Sequence, residues 1–142
     1  MKKEFVPYDI ALALKELGFD EKCLGYYRKY HSEEKPNLGF NIIQNLKSNS
    51  DLKLYDKLQS GQGLFIGINE GGCSAPIYQQ AFRWFRENTK LSFYCHESPQ
   101  DGFRWVIENL YNTQYTQPFF DTYEEAELAC LRKLIEIVKE NL

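Results

Sequence analysis

The chain has 142 residues, of which 43% are hydrophobic and 15% aromatic, and its formal net charge is −3 at pH 7. This length and apolar content suit one domain with a real core, so we predict a single domain over residues 1–142. The acidic balance lacks the positive field on which sequence-independent binding to duplex nucleic acid depends, so duplex nucleic acid is not an expected partner.

The sequence predicts neither a signal peptide nor a membrane span. The charged N terminus has no apolar stretch of signal-peptide length after it, and no run approaches the roughly 18 apolar residues of a spanning helix. Four widely spaced cysteines without a Cys-x-x-Cys pair are expected to be reduced thiols: Cys23, Cys73, Cys95 and Cys130. These features predict a soluble, cytoplasmic protein without a membrane partner.

The first predicted element is a short amphipathic helix with both boundaries marked. Pro7 suits a first turn because its missing N–H has no partner there, and Gly18 follows the last apolar position. After this helix, Cys23–Tyr27 has the composition of a strand.

The middle of the chain is less regular. Residues 36–39, with the sequence Pro-Asn-Leu-Gly, are expected to form a loop. Residues 41–58 fit neither a helical nor a strand period, so we predict a partly ordered insertion over roughly residues 29–63. Leu64–Ile68 is a short apolar run bounded by glycines, which favours a buried strand.

The segment Ser74–Asn88 predicts an amphipathic helix that concentrates arginines and aromatic rings. Ser74 is expected to cap its first turn by accepting a backbone N–H, and Pro76 is tolerated within that turn. Three apolar positions recur every four residues along one face: Ile77, Ala81 and Phe85.

Two strand candidates follow, Leu91–Cys95 and Phe103–Leu110, and the turn between them contains Asp101-Gly102. Because this dipeptide readily adopts positive φ, we predict an antiparallel hairpin. Strand side chains alternate between faces, so one face of the second strand is expected to enter the core. That face carries Phe103, Trp105, Ile107 and Asn109.

The last element is the longest predicted helix. Thr122 and Glu125 form a Thr-x-x-Glu capping box at its start, and its apolar positions continue to the C terminus. The order helix, strand, strand, helix, strand, strand, helix predicts an α+β fold. In this fold, a mostly antiparallel sheet of about four strands is covered by three helices.

Three segments of the sequence, Val6–Asp20, Ser74–Asn88 and Asp121–Glu140, resemble a family of short hypothetical proteins from phages and prophages of gut anaerobes. The resemblance implies a phage-type accessory protein that acts in the cytoplasm of the host cell. It implies no particular activity.

Cys73 is the best candidate for a nucleophile. Gly71-Gly72 before it allow close backbone approach, and the start of a following helix would stabilise a thiolate. A base is also needed, and no spacing argument places His31 or His96 near this thiol. An ordinary loop cysteine is the simpler interpretation, so we do not predict an enzyme.

No metal or cofactor is expected. The close soft-ligand pair is Cys95-His96, whose adjacent side chains point to opposite sides of a strand. Gly61-x-Gly63 is a fragment of a phosphate-loop pattern that lacks the Gly-Lys-Ser/Thr such a loop requires.

Rings and arginines favour a binding surface instead. Arginine can hold phosphate through two hydrogen bonds and aromatic rings stack on bases, so this content suits a nucleotide-like ligand. The predicted ligand-binding residues are Arg83, Arg86, Arg104, Trp105, Tyr26, Tyr27 and Tyr78. The simpler alternative is that rings such as Trp84 and Phe85 fill the core while the arginines lie on the surface above it.

Three hypotheses follow. The leading one is a non-enzymatic protein that sequesters a nucleotide-derived host immune signal. The alternative is a module that binds a host enzyme through the insertion and an exposed aromatic patch, as an inhibitor or adaptor. The third is a cysteine-dependent enzyme centred on Cys73. A homodimer is compatible with the many rings, because symmetric association buries them and creates a pocket between subunits.

Overall fold

The computed structural model describes residues 2–28, 35–41, 46–53, 72–111 and 113–141. The chain divides into two compact units, Met1–Gln80 and Ala81–Leu142, and each is described by itself below. The division does not decide whether the chain is one domain, so the single domain over residues 1–142 stays a prediction.

The α+β prediction is confirmed. The described strands form two three-stranded antiparallel sheets, where the sequence favoured one sheet of about four strands. Within the described ranges, each helix is too short or too polar to cross a bilayer.

The first unit begins with a 3-10 helix, Lys2–Glu4, followed by helix α1, Tyr8–Glu16. Pro7 precedes α1 in an extended conformation, and Gly18 after it has φ 99°, a left-handed conformation that favours glycine. The predicted end of this helix is therefore confirmed, and its start lies one residue later than predicted, because Pro7 is the N-cap residue and not part of the first turn. Its buried residues are Ile10, Ala11 and Leu14.

The sheet of the first unit has the strand order β2-β1-β3. Its strands are β1 (Gly25–Arg28), β2 (Asn37–Phe40) and β3 (Cys73–Ala75). The predicted loop over residues 36–39 is wrong, because most of it belongs to β2. Gly39 suits this strand because the ring of Tyr26 crosses it, and a Cβ there would lie 2.5 Å from that ring.

Ser74 lies in β3, so the prediction that it caps a helix is wrong. Its backbone N–H donates to Oδ1 of Asn49 at 2.8 Å, and its hydroxyl donates to the carbonyl of Lys47 at 3.3 Å. The helix begins four residues later, at Tyr78. A serine two residues before a proline is typical of a helix start, but here partners more than twenty residues away determine the conformation of Ser74.

Most of the predicted insertion, and all of the predicted strand Leu64–Ile68, lie outside the described residues. Residues 49–53 within the insertion are helical. Asp20 accepts hydrogen bonds from the backbone N–H and the hydroxyl of Ser50, at 2.7 and 2.6 Å, which fixes the start of this helix.

The boundary between the units falls within helix α2, Tyr78–Asn88. The second unit then contains β4 (Ser92–Ser98), β5 (Gly102–Glu108), β6 (Gln114–Thr116) and helix α3 (Tyr123–Glu140), with the strand order β4-β5-β6. The predicted hairpin is confirmed as β4 and β5. Strand β6 was not predicted from the sequence.

The turn of this hairpin depends on Gly102. Its φ is 101°, and a Cβ there would lie 2.2 Å from the carbonyl oxygen of Phe120. Phe103 and Phe120 exchange two backbone hydrogen bonds, at 2.8 and 2.7 Å. These contacts hold the segment after β6 against the start of β5.

Helix α3 begins directly after Thr122, as predicted, and Oγ1 of Thr122 accepts a hydrogen bond from the N–H of Glu125 at 3.2 Å, which is the threonine half of the predicted capping box. On β5, Ile107 of the expected core face is fully buried, whereas the other three residues of that face, Phe103, Trp105 and Asn109, are half-buried. Val106 on the other face is also buried.

Candidate ligand-binding surface on the second sheet

The sheet of the second unit has two unlike faces. Directly opposed residues of antiparallel strands share a face, and the register pairs Cys95 with Trp105 and His96 with Arg104. The Trp105 face carries Phe93, Cys95, Trp105 and Ile107, and the Arg104 face carries Tyr94, His96, Arg104 and Val106.

Helices pack on the Trp105 face. The ring of Trp105 stacks on Phe82 of α2 with a centroid distance of 4.8 Å and an interplanar angle of 13°. Tyr123 of α3 lies 6.1 Å from the same indole. Trp105 therefore contributes to the packing of the second unit, and one side of its ring is already occupied.

The Arg104 face carries a guanidinium among rings. The Cζ atom of Arg104 lies 4.4 Å from the centroid of the Phe119 ring, within the range of a cation–π contact. His96, opposite Arg104 on β4, meets the same ring edge-on at 5.9 Å. Tyr94 is two residues from His96 on this face and is 49% exposed.

The chain places Phe119 there by a local constraint. Phe119 directly precedes Phe120, whose two backbone hydrogen bonds with Phe103 hold it beside β5. Gly102 permits that close approach, since a side chain at this position would collide with the carbonyl of Phe120. The turn glycine therefore also positions one ring of the surface.

Arg104 has no acidic partner among the described residues. Its side chain is half-buried, and its Nε atom is buried without a hydrogen-bond partner in those parts of the chain. A half-buried cation that lacks a counter-charge is costly, so it attracts an anion. A planar guanidinium also matches the two oxygens of a phosphate or carboxylate.

The structure divides the seven predicted binding residues between the two units. Tyr26, Tyr27 and Tyr78 belong to the first unit, and Arg83, Arg86, Arg104 and Trp105 to the second. Within the second unit, Arg86 lies over the ring of Phe93 at 5.8 Å, on the side of the Trp105 face. Arg83 is exposed and forms an ion pair with Glu87 at 4.0 Å. The arginines of the second unit therefore do not converge on one site.

Tyr27 of the first unit has a structural role. Its hydroxyl donates to the carbonyl of Val6 at 2.8 Å, and its ring meets Tyr8 edge-on at 5.5 Å. Burial raises the pKa of this phenol to about 12, and the nearby Cys73 acts in the same direction. On the opposite side of the strand, the guanidinium of Arg28 lies 5.3 Å from the ring centroid of Tyr26.

Sequence reasoning missed three members of the Arg104 face, namely Tyr94, His96 and Phe119. Two of them could have been found from the sequence, because the side chains of β4 alternate between the two faces of the sheet. Tyr94 and His96 therefore share one face, and the strand register places that face with Arg104. Choosing that register requires knowledge of the turn length. No sequence signal indicates Phe119.

Cys73 does not have the surroundings of a nucleophile. Its side chain is fully buried, and this burial raises the pKa of the thiol to about 12, although Lys15 acts in the opposite direction. Gly71 and His31 lie outside the described residues. Among the residues that are described, no group of three His, Cys, Asp or Glu side chains could hold a metal ion.

A separate groove of about 340 Å³ lies where α2 and α3 end, beside the loop after β5. Leu110 and Tyr111 in that loop are 64% and 87% exposed. Its polar side chains include two that already bind helix carbonyls, since Thr89 donates to Phe85 at 2.6 Å and Asn141 donates to Ile137 at 2.7 Å. The groove is thus mainly an apolar surface.

No protein-family model, curated protein or solved structure matches this chain. Its fold and surface define a small α+β protein with an arginine held among rings on one sheet face.

Proposed function

We propose that this protein acts by binding and captures an anionic ligand that carries a flat ring, such as a nucleotide, on the Arg104 face. One observation carries the proposal: the half-buried guanidinium of Arg104 lies over Phe119 and has no acidic partner among the described residues. A ligand phosphate would supply the missing counter-charge.

The neighbouring rings suit the rest of such a ligand. Tyr94 and His96 lie on the same face as Arg104 and are exposed, so a base can reach them. Stacking of one base on an aromatic side chain contributes about 1–3 kcal/mol, which is comparable to a charge-assisted hydrogen bond. Phosphate and ring would therefore contribute similar shares of the affinity.

The biological setting of this proposal comes from the sequence resemblance to phage proteins. In that setting, the ligand would be a nucleotide-derived host immune signal, and the protein would sequester it in the host cytoplasm. Sequestration requires affinity without a chemical step. The burial of Cys73 and the raised pKa of its thiol favour the sequestration hypothesis over a cysteine-dependent enzyme.

Isothermal titration of the purified protein against mononucleotides, dinucleotides and cyclic nucleotides tests the proposal. Arg104→Gln should weaken binding by about 10- to 150-fold, because hydrogen bonds to charged groups contribute about 1.5–3 kcal/mol. Arg83→Gln is the matched control, since Arg83 is exposed and already pairs with Glu87. Unchanged affinity of the Arg104 variant, or no binding of any nucleotide by the wild type, would refute the proposal.

The exposed pair Leu110 and Tyr111 favours a second candidate function, docking on a host protein through the apolar groove. Large exposed apolar residues beside a groove are typical of protein-binding surfaces. If this function holds, Tyr111→Ala should abolish retention of a host polypeptide, whereas Arg104→Gln should leave that retention intact. Equal retention by the wild type and the Tyr111 variant would exclude the groove as the docking site.

A further inference from the structure

Strand β4 forms one edge of the second sheet. It has seven residues, contains no proline, and pairs with β5 on one side. In the described part of the chain, no strand pairs with its other side. A long edge strand without proline offers a row of backbone donors and acceptors to another strand.

The hydrogen bonds of β5 show which residues of β4 face this edge. Phe103 bonds to Phe120, and Asn109 bonds to Thr113, both toward β6. Successive residues of a strand direct their backbone groups to opposite sides, so the even-numbered residues of β5 bond to β4. Their partners on β4 include Tyr94 and His96. The backbone groups of Phe93, Cys95 and Glu97 therefore point to the free edge.

The two ends of this edge carry opposite charges. Arg86 lies over the ring of Phe93 at 5.8 Å, near one end. Glu97 is exposed at the other end. Neither side chain forms an ion pair with another described residue. A two-fold axis through Cys95 would exchange the two ends, so the edge is complementary in charge to a second copy of itself.

We propose that two copies of this chain associate through β4, antiparallel about a two-fold axis at Cys95. In this register Cys95 faces its own counterpart, and Phe93 faces Glu97 of the second copy on both sides of the axis. These three pairs would form about six backbone hydrogen bonds. Each Glu97 carboxylate would lie beside the Arg86 guanidinium of the other copy.

The association would also extend the candidate binding surface. On the Arg104 face, Tyr94 would stand directly opposite His96 of the second copy in a close pair, with Cα atoms about 4.5 Å apart. The rings of the two copies would then line one continuous surface between two Arg104 side chains. This consequence for the ligand depends on the proposed function, whereas the strand pairing does not.

Sedimentation velocity over a protein concentration series, without ligand, tests the association. The wild type should form a dimer. Glu97→Pro should abolish it, because proline removes an edge-facing N–H and leaves the bonds between β4 and β5 intact. Arg86→Glu and Glu97→Arg should each weaken it by at least about tenfold, because each places like charges together.

The combined Arg86→Glu and Glu97→Arg variant should restore the dimer, because the exchanged charges again attract. Glu87→Arg reverses an acid of α2 that pairs with Arg83 and should leave association unchanged. A wild type that stays monomeric at every concentration overturns the inference. A dimer that persists in Glu97→Pro, or that the charge exchange fails to restore, overturns it as well.

The outcomes separate this inference from the proposed function. A dimer with the expected variant pattern that binds no nucleotide refutes the ligand and leaves the strand pairing standing. A monomer that binds nucleotide through Arg104 refutes the pairing and leaves the ligand standing.

Discussion

The side chain of Asn49 forms two hydrogen bonds within the first unit, and their contribution to stability can be tested by substitution. This residue is 8% exposed, its Nδ2 atom donates to the carbonyl of Phe19 at 2.7 Å, and its Oδ1 atom accepts from the N–H of Ser74 at 2.8 Å. Phe19 follows α1 and Ser74 lies in β3, so one amide joins two elements that are far apart in sequence.

Asn49→Leu removes both hydrogen bonds while it keeps a side chain of similar length. A buried backbone group left without a partner costs about 1–3 kcal/mol, so two such groups should lower the free energy of unfolding by about 2–6 kcal/mol. Native proteins are stable by about 5–15 kcal/mol, so the variant should lose a large share of its stability.

Urea unfolding followed by far-UV circular dichroism measures this loss, and hydrogen exchange of the Ser74 amide locates it. Asn88→Leu is the control, because Asn88 is exposed and makes one side-chain bond, to the carbonyl of Trp84 at 3.0 Å. The control should stay within about 1 kcal/mol of the wild type. An Asn49 variant as stable as this control, with the Ser74 amide equally protected, would refute the reasoning.

Three further predictions concern the turn, the capping box and the buried thiols. Gly102→Ala should lower the free energy of unfolding by about 1–3 kcal/mol, because it combines a positive φ with a collision at Phe120, and an unchanged melting temperature would contradict this. Thr122→Ala should cost about 0.5–2 kcal/mol in urea unfolding and Thr122→Ser should recover most of it, whereas equal losses would exclude the cap. Burial raises the pKa of Cys23 and of Cys73 from 9.0 to about 12. The unfolded chain therefore loses these protons first, and stability should fall by about 1.4 kcal/mol per pH unit for each thiol as pH rises from 9 toward 12. Cys73→Ala should flatten this decline, and an equally steep decline in that variant would show that other groups cause it.

The sequence predicted those parts of the fold whose causes are local. Pro7 and Gly18 bound α1, the Asp101-Gly102 dipeptide turns the hairpin, and Thr122 starts α3. Each signal acts through the backbone conformation of one or two residues, or through a hydrogen bond three residues away. Such effects do not depend on the rest of the chain, so they can be predicted from a single sequence.

The short strands could not be predicted in the same way. Strands β3 and β6 have three residues each, so neither shows a period of its own. They exist because distant segments supply hydrogen bonds, as Asn49 does for Ser74. The predicted cap at Ser74 failed for this reason, since a partner 25 residues away outweighed a local preference.

The candidate site shows the same difference between features with local causes and features that depend on distant segments. The sequence alone predicted Arg104 as a ligand-binding residue and predicted the hairpin that carries it. The strand register then decided that His96 faces Arg104 and that Arg86 lies on the side of the other face, and the bridge at Phe120 brought Phe119 over the guanidinium. Residue type and local conformation are properties of the sequence, but a shared face depends on which backbone groups pair. That pairing is decided when the whole sheet forms.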